Sequence, residues 1–213
     1  MTPQAPRLVK VCGLTLPEQA AALDEMGLDL LGFIFAAKSP RLVTPEQAAA
    51  MPTSRVRRVG VFVEQSAEEI RRIMDLARLD LAQLHGGQNE EFCREVGPQR
   101  VIRVFWPQRF ADRGELEAEL AQYADSCAYF LLDSGISGGG HGRGLDFAGL
   151  AGLNSPRPWL LAGGLGPDNL AEATCLATPD GFDLNSGVES SSGVKDLEKI
   201  KMSLQLIKNT KSS

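Results

Sequence analysis

The stretch that decides the fold reads Leu8-Val9-Lys10-Val11-Cys12-Gly13-Leu14-Thr15. It predicts a strand that ends at Cys12, because a glycine follows and Pro17 can start a helix soon after. Side chains alternate along a strand, so Lys10 and Cys12 share one face. In parallel α/β sheets the C-terminal strand ends form the reactive face. We therefore expect the Cys12 thiol at that face, directed towards the interior, with inert core packing as the alternative.

Short apolar, β-branched runs alternate with segments of helical periodicity along the rest of the chain. The predicted strands are 8–12, 30–35, 56–63, 81–85, 101–106, 128–133, 159–163 and 181–185. The predicted helices are 17–26, 45–51, 67–79, 89–96, 115–124, 146–150, 168–176 and 196–207. Thr44 and Ser66 precede two of them as N-caps. Eight such units predict an α/β fold, a (β/α)8 TIM barrel of the phosphate-binding type, as a single domain over residues 1–213.

A doubly wound parallel sheet is the main alternative fold. Its signature is a glycine fingerprint after the first strand, but Gly13 stands alone there. The glycine-rich segments instead follow predicted strands six, seven and eight. Their residues include Gly139, Gly140, Gly142, Gly163, Gly164, Ser186 and Gly187. These loops are where such barrels bind phosphate through backbone N–H groups, so we expect phosphate binding rather than merely flexible surface loops.

Composition limits the classes of partner. The chain has 213 residues, 43% of them hydrophobic, and a formal net charge of −5 without a long basic run, which argues against nucleic acid. No apolar run approaches the roughly 20 residues of a membrane span, so we expect no membrane partner and a cytoplasmic location. The cysteines are scattered and the histidines lie at unrelated spacing, so we expect independent thiols and no metal site. We expect a monomer, with a homodimer as the alternative.

Two further polar residues stand at or after strand ends. Asp133 ends the run Tyr129-Phe130-Leu131-Leu132-Asp133 and is followed by glycines rather than a helix, which favours catalysis over helix capping. A thiol and a carboxyl group that face one cavity could form an acid/base pair. Arg41 lies in the loop after strand two, where it is either a solvated surface charge or a two-pronged ligand for a carboxylate.

The chain resembles the phosphoribosylanthranilate isomerase family of tryptophan biosynthesis. The resemblance spans residues 7 to 208 and rests on eight motifs in order, each of which lies in a predicted strand or in the loop that follows one. They are Lys10-Val11-Cys12-Gly13-Leu14-Thr15, Gly32-Phe33-Ile34-Phe35, Lys38-Ser39-Pro40-Arg41, Val59-Gly60-Val61-Phe62-Val63, Gln83-Leu84-His85-Gly86, Leu131-Leu132-Asp133, Gly163-Gly164-Leu165 and Ser186-Gly187-Val188-Glu189.

The resemblance implies an aldose–ketose isomerase that needs no cofactor. The implied reaction is the Amadori rearrangement of a small-molecule substrate, N-(5-phosphoribosyl)anthranilate, to 1-(o-carboxyphenylamino)-1-deoxyribulose 5-phosphate. The match to the family's motifs implies that Asp133 is the general acid that opens the ribose ring and that Cys12 is the base that removes the C2 proton. Both groups then need shifted pKa values, because an ordinary aspartate is ionised at neutral pH and an ordinary thiol is mostly protonated. Arg41 would bind the anthranilate carboxylate.

Several positions depart from the family pattern or extend it. The loop after strand six carries His141 where the family usually has Ser or Thr, and it carries an additional glycine, Gly144. Asn185 stands where serine is usual.

Lys10 and Asp183 are expected to form a buried structural ion pair one layer below the site. Trp106 and Phe35 either flank the anthranilate ring or pack in the core or rim. His85 is expected to line the pocket as a polar side chain.

Two other classes of function stay open from the residues alone. One is another phosphate-binding barrel enzyme, such as a ribulose-phosphate epimerase or indoleglycerol-phosphate synthase. The epimerase needs metal ligands and the synthase uses lysine and glutamate at strand ends, whereas this chain offers Cys12 and Asp133. The other is a binding or regulatory barrel that has lost catalysis, which the joint presence of Cys12, Asp133 and Arg41 disfavours.

Overall fold

A computed structural model describes residues 7–133 and 147–209 of the chain. Its centre is a closed barrel of eight parallel strands, because the first strand pairs with both the second and the eighth. The barrel strands are β1 Leu8–Val11, β2 Leu30–Ile34, β3 Arg57–Phe62, β4 Leu81–Leu84, β5 Val101–Phe105, β6 Tyr129–Asp133, β7 Trp159–Ala162 and β8 Gly181–Leu184. Each lies within one residue of its predicted bounds. The TIM barrel is confirmed, and the closure excludes the doubly wound alternative.

Helices connect the strands and cover the outside of the barrel. They are α1 Pro17–Glu25, α2 Pro45–Ala49, α3 Ala67–Leu76, α4 Glu90–Val96, α5 Arg113–Gln122, α6 Leu170–Leu176 and α7 Leu197–Asn209. Two N-caps are the predicted ones: the side chains of Thr44 and Ser66 each form a capping box, with Gln47 and Glu69. Helix α3 ends before residue 79 because Arg78 takes a positive φ of 52°.

The helix predicted at 146–150 is wrong. Within the described part of that segment, the chain forms only a single 3-10 turn, Ala148–Leu150, held by Leu150 N to Phe147 O and Ala151 N to Ala148 O. Two apolar side chains of this turn region, Phe147 and Leu150, still pack into the core. A short apolar stretch can therefore cover its part of the barrel without a full helix, which hydrophobic spacing alone does not distinguish.

Strand alternation sorts the core into two layers. Val9 and Val11 point outward into the layer between strands and helices. Residues of the opposite parity fill the barrel interior, including Leu30, Val59 and Ile102. None of the helices among the described residues has the length and apolar content needed to cross a membrane.

A two-stranded antiparallel hairpin, absent from the predicted elements, follows β8. It consists of β9 Glu189–Ser191 and β10 Val194–Lys195. The Thr15 hydroxyl donates to Gly193 O at 2.7 Å, and the Gln19 side chain bonds both the N–H and the carbonyl of Lys195. The hairpin is thereby attached to the loop and helix that follow β1, at the C-terminal end of the barrel.

Candidate active site

Cys12 follows the last residue of β1 and faces the barrel interior, as its parity predicts. It is buried and packs in a small cluster with Ile34 and Val61. Gly32 on the neighbouring strand lies directly beside it: a Cβ at Gly32 would stand 2.7 Å from the Cys12 Sγ and 3.1 Å from the Lys10 Nζ. The missing side chain of Gly32 thus leaves the space that the thiol and the ammonium group occupy.

Lys10 and Asp183 form the predicted buried ion pair beneath Cys12. The Lys10 Nζ lies 2.9 Å from Oδ1 and 2.8 Å from Oδ2 of Asp183, on adjacent strands in register. The Lys10 ammonium group lies beside the Cys12 thiol, because a Cβ on Gly32 would stand within 3.1 Å of both groups. Burial raises the pKa of that thiol, and the positive charge of Lys10 opposes the rise without cancelling it. The thiol is therefore protonated at neutral pH.

Asp133 ends β6 at the same C-terminal end of the barrel, with 16% of its side chain exposed. The His85 Nε2 lies 3.7 Å from the Asp133 Oδ2. Burial, with a further contribution from Lys10, lowers the pKa of His85 to about 4, so its imidazole is neutral at pH 7. Trp106 packs edge-on against the His85 ring with centroids 5.4 Å apart. His85 is thus a neutral polar group beside the carboxyl group.

Arg41 lies in the loop after β2 and is not a solvated surface charge. Only 17% of its side chain is exposed, and its guanidinium makes a two-pronged ion pair with Glu189: Nε to Oε1 at 2.8 Å and Nη2 to Oε2 at 2.6 Å. Its Cδ packs over Gly13, where an added Cβ would approach to 2.6 Å. The arginine therefore crosses directly above the residue that follows Cys12.

The glycine segments after β7 and β8 pack against each other. A Cβ at Gly187 would stand 2.2 Å from the Leu165 carbonyl oxygen, so only glycine fits this contact. Gly163 and Gly164 have positive φ angles of 116° and 64°. The amides of Gly163, Gly164, Ser186 and Gly187 donate no hydrogen bond to any part of the chain that the structure describes. The predicted phosphate ligands Gly139, Gly140 and Gly142 lie outside the described residues.

Sequence reasoning missed the charged residues of the hairpin. Glu189 closes the motif Ser186-Gly187-Val188-Glu189, and an acidic residue just beyond a glycine turn was the available signal. No sequence signal pointed to Lys195. In the structure its Nζ lies 2.7 Å from the Glu189 Oε1 and 2.9 Å from the Asn185 Oδ1. The amide of Asn185, at the position where serine is usual in the family, thus accepts a hydrogen bond from Lys195.

Of the two roles considered for Phe35, core packing is the one observed. Its ring stacks on Phe62 at 5.2 Å in the layer between strands and helices. Phe35 follows the inward-facing Ile34, so alternation turns it away from the barrel mouth. Trp106 belongs to the interior cluster. Among residues 7–133 and 147–209, no group of three or more His, Cys, Asp or Glu side chains is arranged to hold a metal ion.

A closed parallel barrel whose polar side chains collect at the C-terminal strand ends defines a (β/α)8-barrel enzyme. Within that class, the family model of N-(5'-phosphoribosyl)anthranilate (PRA) isomerase matches residues 9–206. The protein is 50% identical to the N-(5'-phosphoribosyl)anthranilate isomerase of Desulfovibrio desulfuricans over 206 residues, which are 97% of this chain and 98% of the relative. The chain belongs to the PRA isomerase family.

Solved structures of the family superpose on the described barrel. Monomers of the dimeric phosphoribosylanthranilate isomerase of Thermotoga maritima match with a TM-score of 0.80 and 32% identity, covering 95% of this chain and 98% of that one. A phosphoribosyl anthranilate isomerase in complex with reduced 1-(o-carboxyphenylamino)-1-deoxyribulose 5-phosphate matches with the same TM-score of 0.80, identity of 32% and coverage of 95% and 98%.

Proposed function

We propose that this protein converts N-(5-phosphoribosyl)anthranilate to 1-(o-carboxyphenylamino)-1-deoxyribulose 5-phosphate, as an isomerase of tryptophan biosynthesis. The observation that carries the proposal is the 50% identity to a PRA isomerase over 97% of the chain. A solved neighbour binds the reduced form of the proposed product. The reaction rearranges bonds within one molecule, so it needs neither an oxidant nor a second substrate.

Asp133 is assigned as the general acid. Its protonated carboxyl group donates to the ribose ring oxygen while the bond from that oxygen to C1 breaks, which leaves a protonated Schiff base between C1 and the anthranilate nitrogen. The position of Asp133 at a C-terminal strand end supports this role. The neutral His85 beside it adds no positive charge that would hold the carboxyl group ionised.

Cys12 is assigned as the base. Its thiolate removes the C2 proton, the electrons of the C2–H bond form a C1–C2 double bond, and the Schiff-base electrons return to nitrogen. The enolamine then tautomerises to the ketone. Because burial raises the pKa of Cys12, the thiolate has to be stabilised for the reaction, and the positive charge of the buried Lys10 beside it favours the thiolate.

The remaining polar groups bind the two ends of the substrate. Arg41 has five N–H donors and uses two on Glu189, so its outer edge can still form two bonds with the anthranilate carboxylate. The amides of Gly163, Gly164, Ser186 and Gly187 are assigned to the ribose phosphate, together with Gly139, Gly140 and Gly142.

The decisive experiment is a turnover assay. Addition of the protein to N-(5-phosphoribosyl)anthranilate should accelerate the loss of its fluorescence, with the ketose product identified by mass and chromatography. Asp133→Asn should lose about 10²- to 10⁴-fold in kcat, since an amide cannot deliver the proton. Asp125→Asn is the matched control, because the side chain of Asp125 is 96% exposed. Decay at the uncatalysed rate with wild-type protein would exclude the activity.

We also propose that the protein is a single-domain monomer of the cytoplasm. Within the described part of the chain, the large exposed hydrophobic side chains belong to different loops and helices rather than to one face of a single element; they are Leu42, Leu76, Leu176 and Met202. The described cysteines are free thiols, in keeping with a reducing compartment. Sedimentation velocity over a range of concentrations tests the monomer against a dimer like that of the Thermotoga maritima protein.

A further inference from the structure

The hairpin after β8 places a buried carboxylate against Arg41. Glu189 is the first residue of β9, and 5% of its side chain is exposed. Its two oxygens accept from the Nε and Nη2 of Arg41 in parallel, at 2.8 and 2.6 Å. A two-pronged pair of this kind fixes the plane of the guanidinium as well as its position. Within residues 7–133 and 147–209, the Nη1 of Arg41 donates no hydrogen bond.

Lys195 neutralises this carboxylate from the other side. Its fully buried Nζ lies 2.7 Å from the Glu189 Oε1, and the Gly193 N–H donates to the same oxygen at 3.2 Å. Although burial alone would raise the pKa of Glu189, the hydrogen bonds from Arg41 and Lys195 lower it to about 2. With two cations paired to one carboxylate, the group of Arg41, Glu189 and Lys195 carries one net positive charge at neutral pH.

We infer that Glu189 is a positioning residue: it holds the inner edge of the Arg41 guanidinium above Gly13, so that the outer edge is oriented for the anthranilate carboxylate of the substrate. Lys195 is the second part of this device, since without it the charge of Glu189 would cancel that of Arg41. The inference rests on the proposed function for the identity of the carboxylate. The geometry of the pair itself does not depend on it.

The test is a double-mutant cycle with Glu189→Gln and Arg41→Ala, measured on the natural substrate and on N-(5-phosphoribosyl)aniline, which lacks the carboxylate. Glu189→Gln should raise KM for the natural substrate about tenfold, with a smaller change in kcat. A tenfold change lies within the range of interaction energies between residues in contact. It should leave KM for the aniline analogue unchanged, and it should add little in the Arg41→Ala background. Glu90→Gln, which removes an exposed carboxylate paired with Arg94, is the matched control.

Lys195→Met provides a second variant, which leaves the Glu189 charge in place and should lower the preference for the carboxylate-bearing substrate. Three results would overturn the inference: additive effects of the two substitutions, equal losses on both substrates, or tighter binding by Glu189→Gln. Tighter binding by Glu189→Gln would show that Glu189 competes with the substrate carboxylate for Arg41. Calorimetric titration with 1-(o-carboxyphenylamino)-1-deoxyribulose 5-phosphate repeats the cycle without turnover, so an inactive wild type would refute the proposed function while this cycle still decides the inference.

Discussion

Cys12, directly after β1, lies so close to Gly32 of β2 that a methyl group on Gly32 would stand 2.7 Å from the Cys12 Sγ. The same methyl group would meet the Cys12 Cα and the Lys10 Nζ, both at 3.1 Å. One of these contacts involves the backbone, which a side-chain rotation cannot relieve. The thiol, the ammonium group and the glycine therefore form one packed unit at the end of β1.

Gly32→Ala should displace the thiol and reduce both stability and turnover. Overpacking of a core typically costs about 1 to 3 kcal/mol, and misplacement of a reacting group by about 1 Å can cost 10²-fold in rate. Urea unfolding and kcat measure the two effects. Gly114→Ala in α5 is the control, where the new methyl group meets only the Asp112 Oδ1 at 3.2 Å. Unchanged turnover in Gly32→Ala would mean that the observed position of the thiol is not needed.

Cys12→Ser should keep the fold and much of the substrate affinity but lose most of the turnover. A serine hydroxyl fits the same space but is a far weaker base than a thiolate, and loss of a general base costs about 10²- to 10⁴-fold. The measurement is kcat with substrate affinity followed separately. Cys175→Ser removes the exposed thiol of α6 and should have no effect. Near-normal turnover of Cys12→Ser would remove the thiol from the mechanism.

The pKa of His85 predicts a pH dependence of stability. The imidazole has an ordinary pKa near 6.5 when unfolded and about 4 when folded, because burial disfavours its charged form. Between these values the unfolded chain binds one proton more than the folded chain. The free energy of unfolding should therefore fall as the pH drops from 6.5 to 4, by about 1.4 kcal/mol per pH unit from this group.

Urea unfolding of the wild type and of His85→Gln, at several pH values from 7 to 4.5, checks this dependence. The variant has no imidazole at this position, so its free energy of unfolding should fall less over the same range. Carboxylates such as Glu189, with a pKa of about 2, contribute equally to both proteins and cancel in the difference. A difference between the two proteins that does not vary with pH would contradict the lowered pKa.

The barrel could be predicted from the sequence because each of its strands is recognisable from its own short apolar segment. The alternation of side chains along β1 predicted that Lys10 and Cys12 face the barrel interior. The same rule applied to β2 would have predicted that the ring of Phe35 faces the helices. The helix at 146–150 was wrong because apolar spacing reports burial rather than helix length. The pairing of Arg41 with Glu189 joins residues far apart in the sequence, one in the loop after β2 and the other at the start of β9. Such a contact depends on how the loop and the hairpin meet above the closed barrel, which no local pattern contains.

The phosphate assignment predicts the behaviour of Gly164→Val. Gly164 has a φ of 64°, and no atom of the described residues lies within 4 Å of the position that its Cβ would occupy. The added side chain would therefore enter open space above the glycine segments and keep an anion away from the backbone amides. We expect a rise of about tenfold or more in KM, as for the loss of hydrogen bonds to a charged group.

Strain has to be separated from blocked binding in this variant, because a non-glycine residue at positive φ is itself unfavourable. Gly27→Val supplies the comparison: Gly27 has a φ of 74° and equally open surroundings, but it lies between α1 and β2 at the opposite end of the barrel. Both variants should lose similar stability, whereas only Gly164→Val should weaken competitive inhibition by inorganic phosphate. If phosphate inhibits Gly164→Val as strongly as Gly27→Val, the phosphate does not bind at the glycine segment after β7.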